Sequence, residues 1–145
     1  MPDQSDHFVL DTSAVITYLI GEAGSHTVQE ILSAAQKNKC KIYLSFVTLT
    51  EVYYVTIQRQ NTAAAREIVV HLSALPVEII HSNERIALSA GRLKAGHKIS
   101  LADAFVAATA IEKKATLVHK DPELDSLQES VKLFRLPYKG QIVNN

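Results

Sequence analysis

Two kinds of apolar pattern alternate along the chain. Short runs of consecutive apolar residues are separated by longer stretches whose apolar positions recur at helical spacing. The first kind reads as strands buried on both faces, the second as helices with one buried stripe. Phe8-Val9-Leu10, Ile42-Tyr43-Leu44, Val77 to Ile80, Thr116 to His119 and Lys132 to Leu136 are the predicted strands. Between them, Thr12 to Leu19 opens with residues suited to capping a helix. Thr27 and Glu30 have capping-box spacing, and behind them Val28, Ile31, Leu32 and Ala35 share one helical face. A further helix is expected from Thr48 to Arg59. Another, capped by Asn61 or Thr62, carries Ala65, Ile68, Val69 and Leu72 before Pro76 stops it. Asn83 is placed to cap a helix through Ile86, Ala90 and Leu93, with Gly96 as its left-handed C-terminal residue. Ser100 to Lys113 is the last long helix, and a short helical turn starts near Pro122.

Strands that alternate with helices predict an α/β fold with a mostly parallel sheet. One domain is expected over residues 8–136, with loose tails at 1–7 and 137–145. Repeats and low-complexity stretches are absent from the sequence.

In an open parallel sheet, ligands bind beyond the carboxyl ends of the strands. Asp11 directly follows the first predicted strand, and Asp121 follows the fourth after one residue, Lys120. Two more acids stand in apolar company. Glu51 lies within Val47-Thr48-Leu49-Thr50-Glu51-Val52-Tyr53, and Asp103 is the only charged residue from Ile99 to Ile111. Asp103 is therefore expected to be largely buried, which is costly for a carboxylate unless it is paired or bound to a cation.

Singly, each acid has a bland explanation. Asp11 suits a plain helix N-cap, Asp103 a capping arrangement with Ser100, Glu51 an exposed first-turn position favoured by the helix dipole, and Asp121 a turn before Pro122. Together they are four carboxylates near helix starts or strand ends, in a fold that gathers such ends on one edge. A cluster of that kind does not ionise fully without a compensating cation, and hard oxygen ligands suit Mg²⁺ or Mn²⁺. The chemistry indicated is metal-assisted phosphodiester hydrolysis.

Composition narrows the choice. Lys plus Arg and Asp plus Glu both number 15 in 145 residues, so the net charge is zero, which excludes indiscriminate coating of nucleic acid. With 47% apolar and 21% charged residues, a disordered acidic chain is also excluded. If four acids surround a metal, the remaining 11 face 15 basic residues, and the surface outside the site is mildly positive. Within Gly91 to Ser100, Arg92, Lys94 and Lys98 stand without an acid and lead toward Asp103. They are candidate phosphate contacts, as is Lys120, although basic residues also suit a solvated helix end. Tyr53 and Tyr54 are candidates for base stacking, with packing as the simpler role for at least one of them. Cys40 is the single cysteine and reads as a small buried residue, compatible with a reducing compartment. The polar start, Met1 to His7, lacks the features of a signal peptide, and no apolar run is long enough for a membrane span; a cytoplasmic protein is expected.

Four stretches then bear on family. They are Val9-Leu10-Asp11-Thr12-Ser13-Ala14, Ser45 to Val52, Ile99-Ser100-Leu101-Ala102-Asp103-Ala104, and Leu117-Val118-His119-Lys120-Asp121-Pro122-Glu123-Leu124. In this order and spacing the chain resembles the PIN domain, in particular the VapC-like ribonuclease toxins of prokaryotic type II toxin–antitoxin systems. The resemblance covers about Phe8 to Leu136. It implies a parallel sheet of about five strands flanked by helices. It also implies a catalytic, metal-binding site of Asp11, Glu51, Asp103 and Asp121 that takes Mg²⁺ or Mn²⁺, with Ser13 in support. The family usually has Thr or Ser two residues before the fourth acid, where this chain has His119, expected to support the site in its place. Asp125 is a candidate accessory acid, with a solvent-facing role as the simpler explanation. The resemblance further implies an RNA substrate, an antitoxin partner and a homodimer built through helices. The apolar surfaces around Leu49 to Ile57 or Ile68 to Leu72 are candidates for such contacts, although most of these residues read as core.

Competing readings are a non-catalytic PIN-like module that binds RNA or protein, a DNA-directed nuclease of similar fold, and a phosphatase of the haloacid-dehalogenase type. The last wants a second Asp two residues after the first, where Ser13 stands.

Overall fold

The computed structural model describes residues 6–138. Of the expected tails at 1–7 and 137–145, residues 1–5 and 139–145 lie outside the described residues, while Asp6 and His7 belong to the first strand. Five strands form one sheet: β1 (Asp6–Leu10), β2 (Cys40–Ser45), β3 (Glu78–Ile80), β4 (Thr116–His119) and β5 (Leu133–Arg135). Their spatial order is β3-β2-β1-β4-β5, and every pairing is parallel. The helices are α1 (Thr12–Ile20), α2 (Ser25–Gln36), α3 (Phe46–Arg59), α4 (Thr62–Ser73), α5 (Glu84–Gly96) and α6 (Leu101–Lys113), with a 3₁₀ helix at Pro122–Leu127.

Both sheet faces are covered, which explains why the strands read as unbroken apolar runs. Val9 and Leu117 belong to a core shared with α5 and α6. The next residues along the same strands, Leu10 and Val118, belong to a second core under α1 to α4. Alternate residues of each strand thus feed opposite layers. Alanines 104, 107, 108 and 110 are buried and let α6 pack closely. Cys40 is buried as expected.

Local details differ from the sequence expectation at several points. β1 begins at Asp6, because Asp6 and His7 pair with Cys40 and Lys41 of β2. α2 begins at Ser25 behind Gly24, whose φ of 99° makes it a left-handed entry, so Thr27 lies inside the helix and forms no capping box. A Cβ on Gly24 would also approach Leu136 Cβ to 3.1 Å, a second reason for glycine there. Gly96 is the last residue of α5 and does not adopt positive φ; His97 leaves the helix in an extended conformation. No left-handed exit is needed, since the chain continues straight toward Ile99, which is buried in the core.

The topology has one switch point. From β1 the chain moves outward through β2 to β3, then returns to the other side of β1 as β4 and continues to β5. The carboxyl ends of β1 and β4 are neighbours, with Leu10 in register with Val118. The crevice beyond them is where an open α/β sheet holds its ligand.

Candidate functional site

Asp11 is the first residue beyond β1. Its backbone N–H donates to Val118 O at 3.0 Å, extending the ladder to the acid itself. Its carboxylate caps α1 by accepting the Ala14 N–H at 2.8 Å. Ser13 Oγ also donates to it, lying 2.6 Å from one carboxylate oxygen and 2.8 Å from the other. Asp11 is only 3% exposed. Burial raises its pKa to about 7; the bonds from Ser13 and Ala14 oppose the rise, and the charges of Asp103 and Asp121 add to it.

Asp103 stands in the first turn of α6, where its N–H donates to Ser100 Oγ at 3.0 Å. Its pKa is raised to about 6, first by burial, then by Asp121, with smaller contributions from Glu51 and Glu123; a bond to Ser100 opposes them. The acid is half-buried rather than enclosed. It lies on the opening turn at the sheet edge, and continuous burial of α6 begins only with Ala104 and Val106.

Asp121 caps the 3₁₀ helix, accepting the Glu123 N–H at 2.9 Å. Glu51 enters from α3, which begins at Phe46 behind the cap Ser45 rather than at Thr48. Thr12 Oγ1 donates to Glu51 Oε1 at 2.6 Å and holds it toward the β1 exit. The four sequence-predicted acids are thus connected: Asp11 feels Asp103 and Asp121, and Asp103 feels Asp121 and Glu51.

Two contributors were missed from sequence. Asp103, Asp121 and Glu123 each place a carboxylate oxygen within 4.8 Å of the others, the tightest acidic group among the described residues. Asp11 and Glu51 stand outside that group. An acid two residues after Asp121, across Pro122, was the available signal for Glu123. Thr12 gave none, because its partner lies 39 positions away.

The remaining candidates differ in placement. Ser13 accepts the Lys120 N–H at 2.9 Å while donating to Asp11. His119 is fully buried, and burial holds its pKa below the usual imidazole value although Asp125 pulls it up. Asp125 pairs with Arg135 at 3.0 Å and is not in the tight acidic group. Lys120 is turned inward: its Nζ meets Glu22 Oε2 at 3.2 Å and Ala23 O at 2.8 Å, and its side chain is 9% exposed. Arg92 and Lys94 on α5, and Lys98 before α6, are exposed and form no ion pair among the described residues. Tyr54 is exposed and Tyr53 half-buried.

The donor set fits a hard divalent cation. It is all carboxylate oxygen, converges from several elements, and burial followed by mutual repulsion raises the pKa of Asp11 and Asp103.

Comparison with known proteins agrees with this architecture. The family model described as PIN domain matches residues 8–129. No curated protein sequence matches the chain. Among solved structures, the chain is similar to VapBC2 from Rickettsia felis, bound to a DNA fragment from their promoter. The TM-score is 0.72 at 20% identity, with 90% of this chain and 99% of that one covered. It is also similar to VapBC-1 from nontypeable Haemophilus influenzae, with TM-score 0.66, 20% identity, and 89% and 97% covered. A third is Mycobacterium tuberculosis VapC20, a Sarcin-Ricin loop cleaving toxin, with TM-score 0.65, 17% identity, and 82% and 93% covered.

Proposed function

The chain belongs to the PIN domain family, and on that premise we propose that it is a divalent-metal-dependent endoribonuclease, the toxin of a type II toxin–antitoxin module. The observation that carries the proposal is the convergence of Asp11, Glu51, Asp103, Asp121 and Glu123 at the β1/β4 switch point, with burial and mutual repulsion that call for a cation.

Asp103, Asp121 and Glu123 would hold Mg²⁺ or Mn²⁺ together with Asp11. The ion would neutralise phosphate charge, activate water and stabilise the leaving oxygen. The chain's own residues prepare the site. Ser13 fixes the Asp11 carboxylate, so its geometry is set before any ligand arrives. Thr12 fixes Glu51, whose charge Asp103 feels and whose carboxylate would suit accepting a proton from an attacking water. Arg92, Lys94 and Lys98 would guide the RNA phosphates toward the acids. Lys120, paired internally, is left out of that surface.

A narrow groove of about 110 Å³ between α1, α3 and α4 supports the antitoxin part of the reading. It is lined by Ile16, Leu19, Ile20, Val52, Val55 and Ile68. Ile20 is 56% exposed on its rim, and such a groove suits the apolar face of a partner's helix. A homodimer through the helical faces, and residence in the cytoplasm, belong to the same reading. No helix among the described residues is long and apolar enough to cross a membrane.

The test is cleavage of single-stranded RNA by the purified chain with Mn²⁺ or Mg²⁺, with chelator, and in the Asp103→Asn variant. Metal-dependent cleavage lost in the variant supports the proposal. RNA left intact at every metal concentration, by a folded chain, would favour a non-catalytic module.

A further inference from the structure

We propose that His119 is a positioning residue for the acidic site, holding Asp121 through a hydrogen bond to its backbone, with the Asp125–Arg135 pair facing the other side of the ring. The inference rests on the metal-site reading above.

His119 ends β4, and its side chain is 0% exposed. Its Nδ1 accepts the Asp121 N–H at 3.2 Å. An acceptor carries no proton, so the hydrogen-bond network assigns the neutral ring's proton to Nε2. Nε2 faces Asp125 Oδ1 at 3.7 Å, too long for a hydrogen bond but close enough for the carboxylate to favour a proton there. Asp125 in turn is held through Oδ2 by Arg135 Nη1 at 3.0 Å. The strand backbone closes the loop, since the Leu136 N–H donates to His119 O at 2.7 Å.

The chain of contacts runs from β5 through the 3₁₀ helix to a buried ring and then to the amide of Asp121. Asp121 is thus held at both ends, by its N–H on His119 and by its carboxylate on the Glu123 N–H. Asp121 and Glu123 supply two of the three oxygens in the tight acidic group. The ring is enclosed in the core, so the acceptor it offers to the Asp121 N–H is held in place by packing. Groups that orient metal ligands in this manner are worth about 10- to 100-fold in metal affinity.

Two polar substitutions separate positioning from packing. In His119→Asn, the side-chain oxygen stands near the place of Nδ1 and retains an acceptor for Asp121 N–H. In His119→Gln, the polar group moves outward toward Asp125 and that acceptor is lost. The experiment is Mn²⁺ titration of the metal-free chain and both variants by calorimetry, with thermal melting alongside. Long-range ¹H–¹⁵N correlation of the parent ring gives an independent readout. The expected result is Mn²⁺ affinity within about threefold of the parent for His119→Asn and about tenfold weaker for His119→Gln, at similar melting temperatures. The parent ring should show an unprotonated Nδ1 and a protonated Nε2. A His119→Gln chain that binds Mn²⁺ as tightly as the parent would overturn the inference. So would a protonated Nδ1, affinity losses in both variants that follow their melting temperatures, or a parent that binds no Mn²⁺. Binding in the expected order by a chain that leaves RNA intact would overturn the nuclease reading alone.

Discussion

Ser13 and Lys120 are 107 positions apart, yet the Ser13 hydroxyl accepts the Lys120 backbone N–H at 2.9 Å. The same hydroxyl donates to the Asp11 carboxylate. One side chain therefore ties the exit of β1 to the exit of β4 at the point where the two acids of those strands emerge.

Ser13→Ala should cut both ties. The part-buried Lys120 amide loses its acceptor, which costs about 1–2 kcal/mol. In a chain of this size that corresponds to a melting temperature lower by roughly 3–6 °C. Asp11 loses the bond that favours its ionised form, so Mn²⁺ affinity at neutral pH should fall as well. Thermal melting and metal titration of the variant check both effects. Unchanged values would remove Ser13 from the site.

The metal-free protein should become less stable as pH rises from about 4 to about 7. Asp11 titrates near 7 in the folded chain and near 3.8 unfolded, and Asp103 near 6. Between these values the folded state keeps protons that the unfolded state has released, so stability is full below the unfolded pKa and falls with pH. Asp11→Asn keeps the α1 cap, because Asn caps as well as Asp, but removes the buried charge. It should stabilise the metal-free protein at pH 8 by on the order of 1–2 kcal/mol, seen as a higher melting temperature, and flatten the pH profile. Melting curves in chelator at a series of pH values decide this. A variant less stable than the parent at pH 8 would contradict it.

Divalent metal should reverse that loss. Binding requires ionised carboxylates, so affinity should climb through pH 6–7. At a free Mn²⁺ concentration 100 times Kd, stabilisation is about 2.7 kcal/mol. The resulting rise in melting temperature should be larger at pH 8 than at pH 5.5, vanish in chelator, and be weak in Asp103→Asn. An equal rise in that variant would place the ion elsewhere.

Lys98 and Lys120 should behave differently toward RNA. Lys98 is exposed, whereas Lys120 is engaged by Glu22 and Ala23. Lys98→Ala should weaken RNA binding and lower the slope of log affinity against log salt by about 0.7, the value for one phosphate contact on a single strand. Lys120→Met should leave that slope unchanged and instead lower stability, by loosening the turn around Gly21 and Gly24. Salt titrations of RNA binding, with catalysis blocked by chelator, separate the two. Matching slopes for Lys98→Ala and the parent would discard the contact.

The alternation of apolar runs with helical periods was enough to determine a parallel α/β sheet, because strands covered on both faces need unbroken apolar residues and crossover helices need one apolar stripe. It also marked Asp11, Glu51, Asp103 and Asp121. A charge inside an apolar segment, or at the end of an apolar run, stands out locally. Boundaries were less legible. Gly24 takes a left-handed conformation next to Leu136 and Gly96 does not take one before the buried Ile99, and neither the approach of Leu136 nor the burial of Ile99 is visible in the local sequence.

What tertiary structure alone decided is which neighbours each charged group meets. Local pattern reports the element on which a side chain rides, not the group that faces it across the crevice. Thr12 meets Glu51, Lys120 turns from solvent toward Glu22, and His119 is buried between Asp121 and Asp125. Glu123 joins the acids because the 3₁₀ turn folds back on Asp121. The sequence by itself determined the architecture and marked four acids as candidates. The assembled sheet edge determined how they are held, since hydrogen bonds and desolvation depend on distances between elements that periodicity does not encode.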